Sequence, residues 1–274
     1  ASASKMLKFG FEKGKGYDYE MITNMDQEVR GIKSQVDMTN YYSMDVTGEE
    51  GGIKTITTTY ERFKMNIGAM GMNIEVDSDK PLPDGGDNDM KEAMQKVNGL
   101  LGAIKGRKFV MKVDAEGKVV DVTGFKDMAM SIADSLHLGE AERMEMEKKF
   151  SEQFSDDKIK SQFERFLYIF PNKEVKVGDS WQHSSTGFGP AGGEYNSTYT
   201  VKEIEGDMVT LDEKTKISSG GDEMKTSGEV EGTLVVDSKT GLIVNADQDL
   251  TMNMEIGGQA MKMTGKTKIK GKAR

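Results

Sequence analysis

The chain carries few side chains in arrangements that could do chemistry. It has no cysteine, which removes thiolate nucleophiles, thiolate zinc sites and disulfide scaffolds. Its two histidines are His137, at the end of a helical stretch where it can complement the helix dipole, and His183, in a strand pattern. A Ser-His-Asp grouping is recognised in space and not by spacing. Among the 46 acidic residues no pair is set apart for general acid–base work. "DGGDND" (84–89) gathers carboxylates and an Asn and invites a calcium reading, but it lacks the ordered ligand spacing and closing bidentate Glu of an EF-hand loop. A solvated loop ending in a helix N-cap accounts for the same residues. "GFGPAG" (187–192) formally matches G-x-G-x-x-G; a dinucleotide loop follows a strand and opens a helix, whereas here Pro190 interrupts it and a strand pattern comes next. The sequence therefore predicts no catalytic residue, no cofactor and no metal site, and hence a non-enzymatic protein.

Methionine is the residue type that stands out, with 21 copies. Met65, Met70 and Met72 alternate with polar residues in one hairpin pattern, and Met252, Met254, Met261 and Met263 do so in another. A period of two puts such residues on one face of a sheet. The unbranched thioether adapts to irregular shapes, so one reading is a face for a lipid or other apolar ligand. A soft-metal site is a second reading, although no His or Cys stands near these residues. Ordinary core packing is the third.

Composition limits the partners. With 274 residues, 36% hydrophobic, and a mean hydropathy of −0.57, the chain can bury a core as one large domain or two small ones. No apolar run approaches the roughly 18 residues that span a bilayer as a helix. A net charge of −9 with scattered basic residues argues against a nucleic-acid partner, which needs a positive face. The opening "ASASKML" is read either as the remnant of a removed leader or anchor, or as cloning residue.

The elements that would hold these residues are read from periodicity. From 5 to 78, long stretches such as "TITTTYERFKMNI" alternate as half-buried strands do, with Gly-rich turns between them. A helix is expected over 89–104, a hairpin over 107–124, and helices over 125–137, 140–154 and 156–169. The last has a clear apolar stripe of Ile159, Phe163, Phe166 and Leu167. Strand patterns resume after 171. The expected organisation is a first β-rich half (1–124), a helical segment (125–170) and a second β-rich half (171–274), forming one unit in which an internal repeat is plausible. "FPNKEVKVGDSWQ" (170–182) is either a functional site or a joint between the halves. The joint is preferred: Phe170 finishes the helix stripe, Pro171 stops the helix, Gly178 turns the chain and Trp181 anchors the next strand.

"TYERFKMNIGAMGMNIEVDSDKP" (59–81), "KVDAEGKVVDVTGF" (112–125) and "FPNKEVKVGDSWQ", taken in order, resemble a family called domain of unknown function 6263. The resemblance implies an exported or lipoprotein-like protein, mainly of Bacteroidota, located in the periplasm or cell envelope. The anchor cysteine of a lipoprotein is absent from this sequence. The family has no established activity, so the resemblance implies no catalytic or binding residue. The expected fold is α+β: about a dozen long antiparallel strands in one or two curved sheets, an open half-barrel like that of lipoprotein carriers, with helices packed on it. The expected function is a non-enzymatic envelope protein whose concave sheet face holds an apolar or lipid-like ligand in a cavity beneath the helices. The alternative is a structural or protein-interaction module with no small ligand. Expected partners are a lipid, another apolar ligand or an envelope protein, with no nucleic acid and no transmembrane segment.

Overall fold

Alternating apolar and polar residues fold into strands β1 (Lys5–Leu7), β2 (Gly16–Val29), β3 (Ile32–Glu50), β4 (Ile53–Ala69), β5 (Met72–Asp77), β6 (Lys108–Val113) and β7 (Val119–Thr123). Helices α1 (Phe125–Ser135), α2 (Glu140–Gln153) and α3 (Asp156–Leu167) come next. The chain then forms β8 (Lys173–Val175), β9 (Ser180–Thr186), β10 (Glu194–Glu205), β11 (Met208–Ser219), β12 (Met224–Asp237), β13 (Leu242–Ile256) and β14 (Gln259–Ala273). This computed structural model describes residues 3–80, 102, 104–153, 156–186, 193–219 and 224–274. The acidic run 84–89, the loop 187–192 and nearly all of the helix expected over 89–104 lie outside the described residues.

Twelve strands form one mixed-length antiparallel sheet in the order β7-β6-β4-β3-β2-β14-β13-β12-β11-β10-β9, with β5 also paired to β4. β1 and β8 make a separate two-stranded sheet. Hairpins join most neighbours. At Arg30-Gly31 the φ angles are 53° and 76°, and at Met70-Gly71 they are 54° and 77°, the consecutive positive values of a tight hairpin turn.

The pairing that joins the two halves of the large sheet is β14 with β2, from Met261↔Val29 to Ala273↔Tyr17. Charge accounts for this choice of neighbours. On the polar face of β14, Lys262, Lys270 and Lys272 stand opposite Glu28, Glu20 and Asp18 of β2. On its other side, Lys266 and Lys268 stand opposite Asp249 and Asp247 of β13. Opposite charges across a ladder favour the pair, and a lysine-rich strand fits best between two acidic ones. Arg274 extends the join, donating to Asp18 (2.8 Å) and Asp45 (2.7 Å).

The expected curvature is not found: the large sheet is flat and uncurled, not a half-barrel. Its two ends, β7 and β9, do not meet. Bulges are the usual device for bending a sheet, and the ladders β2–β3, β14–β2, β13–β14 and β11–β12 run without a register shift. The shifts lie elsewhere, for example at Tyr41/Tyr42 and Val201/Glu203. The core is instead built by laying helices on one face.

α3 is the main contributor to that layer. Its stripe of Ile159, Phe163, Phe166 and Leu167 is at most 3% exposed. Phe163 packs against Tyr42 (5.8 Å), Phe109 (5.5 Å) and Phe166 (5.4 Å), and Phe166 against Tyr19 (5.2 Å). The partner rings come from β2, β3 and β6. On the other side of the helix Arg165 reaches the second half of the sheet, where it donates to Glu213 of β11 (3.3 Å) and Ser197 of β10 (3.2 Å) and lies over the Tyr195 ring (5.0 Å). Glu213 is buried at 2% exposure and also accepts from Thr215 (2.6 Å) and Gln248 (2.6 Å).

Gly232 makes the Gln248 bond feasible. It stands on β12 between Glu213 and Gln248, paired to both. With no side chain there, Gln248 of β13 can cross over β12 to the carboxylate. A Cβ at Gly232 would meet Asp247 O at 2.4 Å and Gln248 Cγ at 2.9 Å. Gly232→Ala should therefore lower stability by about 1–3 kcal/mol. Urea unfolding monitored by Trp181 fluorescence would measure this, and an unchanged midpoint would contradict it.

Candidate functional site

Side-chain alternation and strand register together define one face of the sheet. That face carries Tyr17, Tyr19, Tyr42, Met44 and Ile56, all at most 3% exposed; Tyr19 and Tyr42 lie against the rings of α3, and Tyr17 stacks on Phe11 (3.8 Å). Farther along the same strands it becomes a field of methionines. Met252 pairs with Met263 and Met254 with Met261 between β13 and β14. Met38 pairs with Met65 between β3 and β4. Met25 of β2 pairs with Val36 of β3 and with Gly265 of β14, linking the two groups. Leu250 and Met252 also pack on a small second cluster of Tyr195, Ile217 and Val230.

Of the seven methionines singled out from sequence, six share this face. Met254 is buried, Met65, Met252, Met261 and Met263 are half-buried, and Met72 opposite Ala69 is an exposed rim residue. Met70 does not join them: it occupies the turn with φ 54° and is 82% exposed. Met21, Met25 and Met38 belong to the face but were not singled out. Each does occur at a period-two position in "YDYEMITNM" or "SQVDMTN". The missing information was which strands would be neighbours.

The expected cavity beneath the helices is not seen at α3. There the space is filled by the Tyr19, Tyr42, Phe109, Phe163 and Phe166 rings. At that place the close-packed rings leave no room for a ligand.

The stretch 170–182 lies where α3 hands over to β9. Phe170 is fully buried, and Val175 is buried while Val177 is exposed. Gly178 has φ 94° and donates to Val201 O (2.8 Å), and Asp179 Oδ2 accepts from Lys176 N–H (2.8 Å), closing the turn. Trp181 Nε1 donates to Ile169 O (2.8 Å), and a ring nitrogen of His183 bonds Phe170 O (2.8 Å). Pro171 comes directly after. The two side chains from β9 thus satisfy buried backbone carbonyls of the segment that follows the helix.

The charged residues of the first family-like stretch form a second local unit. Arg62 of β4 grips Asp77 of β5 through two bonds, Nε to Oδ1 (3.1 Å) and Nη2 to Oδ2 (2.7 Å). Asp79 N–H bonds Asp77 Oδ1 (3.0 Å), and Asp79 also pairs with Arg62 (3.1 Å) and Lys105. Ser78 and Phe63 exchange bonds of 2.9 Å. This knot fastens β5 to β4.

Among the described residues, titratable groups with shifted pKa values are scattered and do not converge on a cleft. Burial raises the phenols of Tyr19, Tyr42, Tyr60 and Tyr199, which pack as neutral core rings. Burial also raises the Glu164 carboxyl, which accepts from Val119 N–H (3.0 Å). Among the described residues no group of three or more His, Cys, Asp or Glu is placed to hold a metal, and no helix is long and apolar enough to cross a membrane.

These features define a class: an α+β protein made of one broad antiparallel sheet, with helices on its apolar face and a charged ladder on the other. The chain belongs to the family of unknown function DUF6263, whose model matches residues 51–243. A comparison with curated proteins finds no match. Among solved structures the chain is similar to lipovitellin, in a structure described as showing lipid–protein interactions, with 11% identity and a TM-score of 0.50. That alignment covers 96% of this chain and 26% of lipovitellin, so the chain spans about a quarter of its length. The likeness is one of fold. The translocator domain of the autotransporter NalP from Neisseria meningitidis aligns at 6% identity and a TM-score of 0.26, covering 94% of this chain and 88% of that one. The β domain of the Bordetella autotransporter BrkA aligns at 6% identity and 0.29, covering 93% and 98%. Scores this low add no argument.

Arg62 holds the Asp77 carboxyl down at about 2, mainly through its hydrogen bonds. A carboxyl whose folded pKa lies below its unfolded value stabilises the fold above the unfolded pKa of about 4 and loses that contribution as pH falls toward about 2. Asp77→Asn should lower stability at pH 7 by about 1–3 kcal/mol. It should also flatten the fall in stability between about pH 4 and pH 2. Urea titrations at pH 7, 4 and 3 would measure both; equal acid slopes in the two proteins would refute the assignment.

Proposed function

We propose that this protein is a non-catalytic interaction module of the cell envelope, working through its sheet surface without a small-molecule chamber. The observation that carries the reading is the methionine field, an apolar face that continues along the strands beyond the ring-filled core under α3. Flexible thioethers make a contact surface that adapts to an irregular partner. The tight packing of rings under the helix favours contact with another protein over capture of a ligand in an enclosed space. The envelope location rests on the kind of exported protein that the resemblance implies. A lipid-facing role is the second reading, supported by the same methionines and by lipovitellin's description as a lipid–protein structure.

A photo-crosslinking amino acid placed at Met263, on the apolar face, and at Lys266, on the polar face, would test this in cells of the source organism. The account expects protein adducts from Met263 in the envelope fraction, at least several-fold above those from Lys266. Adducts with lipid alone would favour the second reading. No adduct above the Lys266 level, or a wholly cytosolic protein, would overturn both.

A further inference from the structure

The large sheet has edges at β5, β7 and β9 among the described residues, and they are not guarded alike. β7 is capped from α3, where Glu164 takes the Val119 N–H (3.0 Å). It also carries Asp121. β5 carries Glu75 and Asp77, and the second is locked to Arg62. β9 reads Ser-Trp-Gln-His-Ser-Ser-Thr, with no Asp, Glu, Lys, Arg, Pro or Gly. Charges, prolines and bulges are what normally keep an exposed edge from pairing, and Ser180–Thr186 has none of them; the bulge of Gly178 and Asp179 opposite Val201 lies just before it. It pairs with β10 in unbroken register from Ser180↔Thr200 to Thr186↔Glu194. Trp181 and His183 hold it to Ile169 and Phe170.

The hydrogen-bond alternation shows which groups do not bond β10. Val201 exchanges bonds with Gly178 (2.8 Å) and Asp179 (2.9 Å), so it faces the β9 side. Tyr199, Ser197 and Tyr195 then face that side too, and bond their partners Trp181, His183 and Ser185. The backbone groups of Ser180, Gln182, Ser184 and Thr186 point away from β10, toward the open edge.

We propose that this edge is a self-association site, at which the β9 strand of a second copy adds antiparallel to the first about a two-fold axis at His183. Full overlap of the strands sets Ser180 opposite Thr186, Trp181 opposite Ser185 and Gln182 opposite Ser184, with His183 opposite itself. Trp181 and Gln182 each meet a small hydroxyl residue, His183 meets its own copy at the axis, and no like charges are brought together at the edge. The outward backbone groups supply about eight inter-strand hydrogen bonds. The two-fold axis runs perpendicular to the sheet, so both apolar faces lie on the same side of the joined sheet. An unlike extended peptide would use the same backbone groups; the second copy is preferred because the uncharged strand pairs with itself without charge repulsion and sets Trp181 and Gln182 opposite small serines. A seven-residue contact is smaller than a standard interface, so dimerisation in about the micromolar range is expected. The edge contact is independent of whatever meets the methionine face.

Sedimentation velocity of the full chain from about 1 to 200 µM should show a concentration-dependent dimer, as a small interface implies. Ser184→Pro should weaken it at least tenfold with little change in melting temperature, because the Ser184 N–H makes no bond to β10. A cysteine-free chain also permits a clean cross-link. His183→Cys should form a disulfide dimer with oxidised glutathione much faster than Glu205→Cys. The cross-link decides the matter if the proline variant fails to fold. A monomer at every concentration, a dimer untouched in folded Ser184→Pro, or equal cross-linking at the two cysteines would each overturn the proposal.

Discussion

The rest of the structure depends on the buried ion pair between Arg165 and Glu213. The two side chains are 14% and 1% exposed. A flat, open sheet cannot make a core by closing on itself, so one face must be covered by something else. α3 does this for the first half of the sheet through its aromatic stripe, and it reaches the second half through Arg165. Desolvating an ion pair is costly, and such pairs are tolerated only when their remaining hydrogen-bonding groups are also satisfied. Here Ser197, Thr215 and Gln248 complete the set, drawing in β10, β11 and β13. An apolar contact could slide along the sheet; this network fits in one register.

With the helix so placed, the two faces of the sheet take different roles. The charged ladder of β2, β14 and β13 orders the strands and keeps the polar face in water. The opposite face is closed where α3 lies and remains methionine-lined farther along the strands. This makes a pliable apolar surface on a hydrogen-bonded frame. The side chains of β9 that bond the segment following α3 also hold that edge strand in place. Helix docking and edge presentation are therefore mechanically linked.

Much of this was legible in the sequence because it is local. The stripe of α3, the tight hairpins and the methionine alternation depend on residues close in the chain. Pairing between distant segments could not be seen. The β14–β2 join, which sets Met25 opposite Gly265 and so links the two methionine groups, depends on residues far apart in the sequence. Curvature was inferred from strand length, but bulges decide it, and the central ladders lack them. The ion pair did leave a trace. In "VTLDEKTKI" the inward positions are Val209, Leu211, Glu213, Thr215 and Ile217, so a carboxylate stands where an apolar residue is expected. Such a residue needs a buried partner, though the sequence does not say which cation supplies it.

A double-mutant cycle on Arg165 and Glu213 tests this account most directly. The variants are Arg165→Met, Glu213→Leu and the pair together, each characterised by urea unfolding. Either single change should cost about 3–5 kcal/mol, because it leaves a charge buried without its partner. The double variant should recover much of that loss, giving a coupling energy of at least about 1.5 kcal/mol. Single losses below about 1 kcal/mol that simply add would contradict the claim that this pair fixes the helix on the sheet.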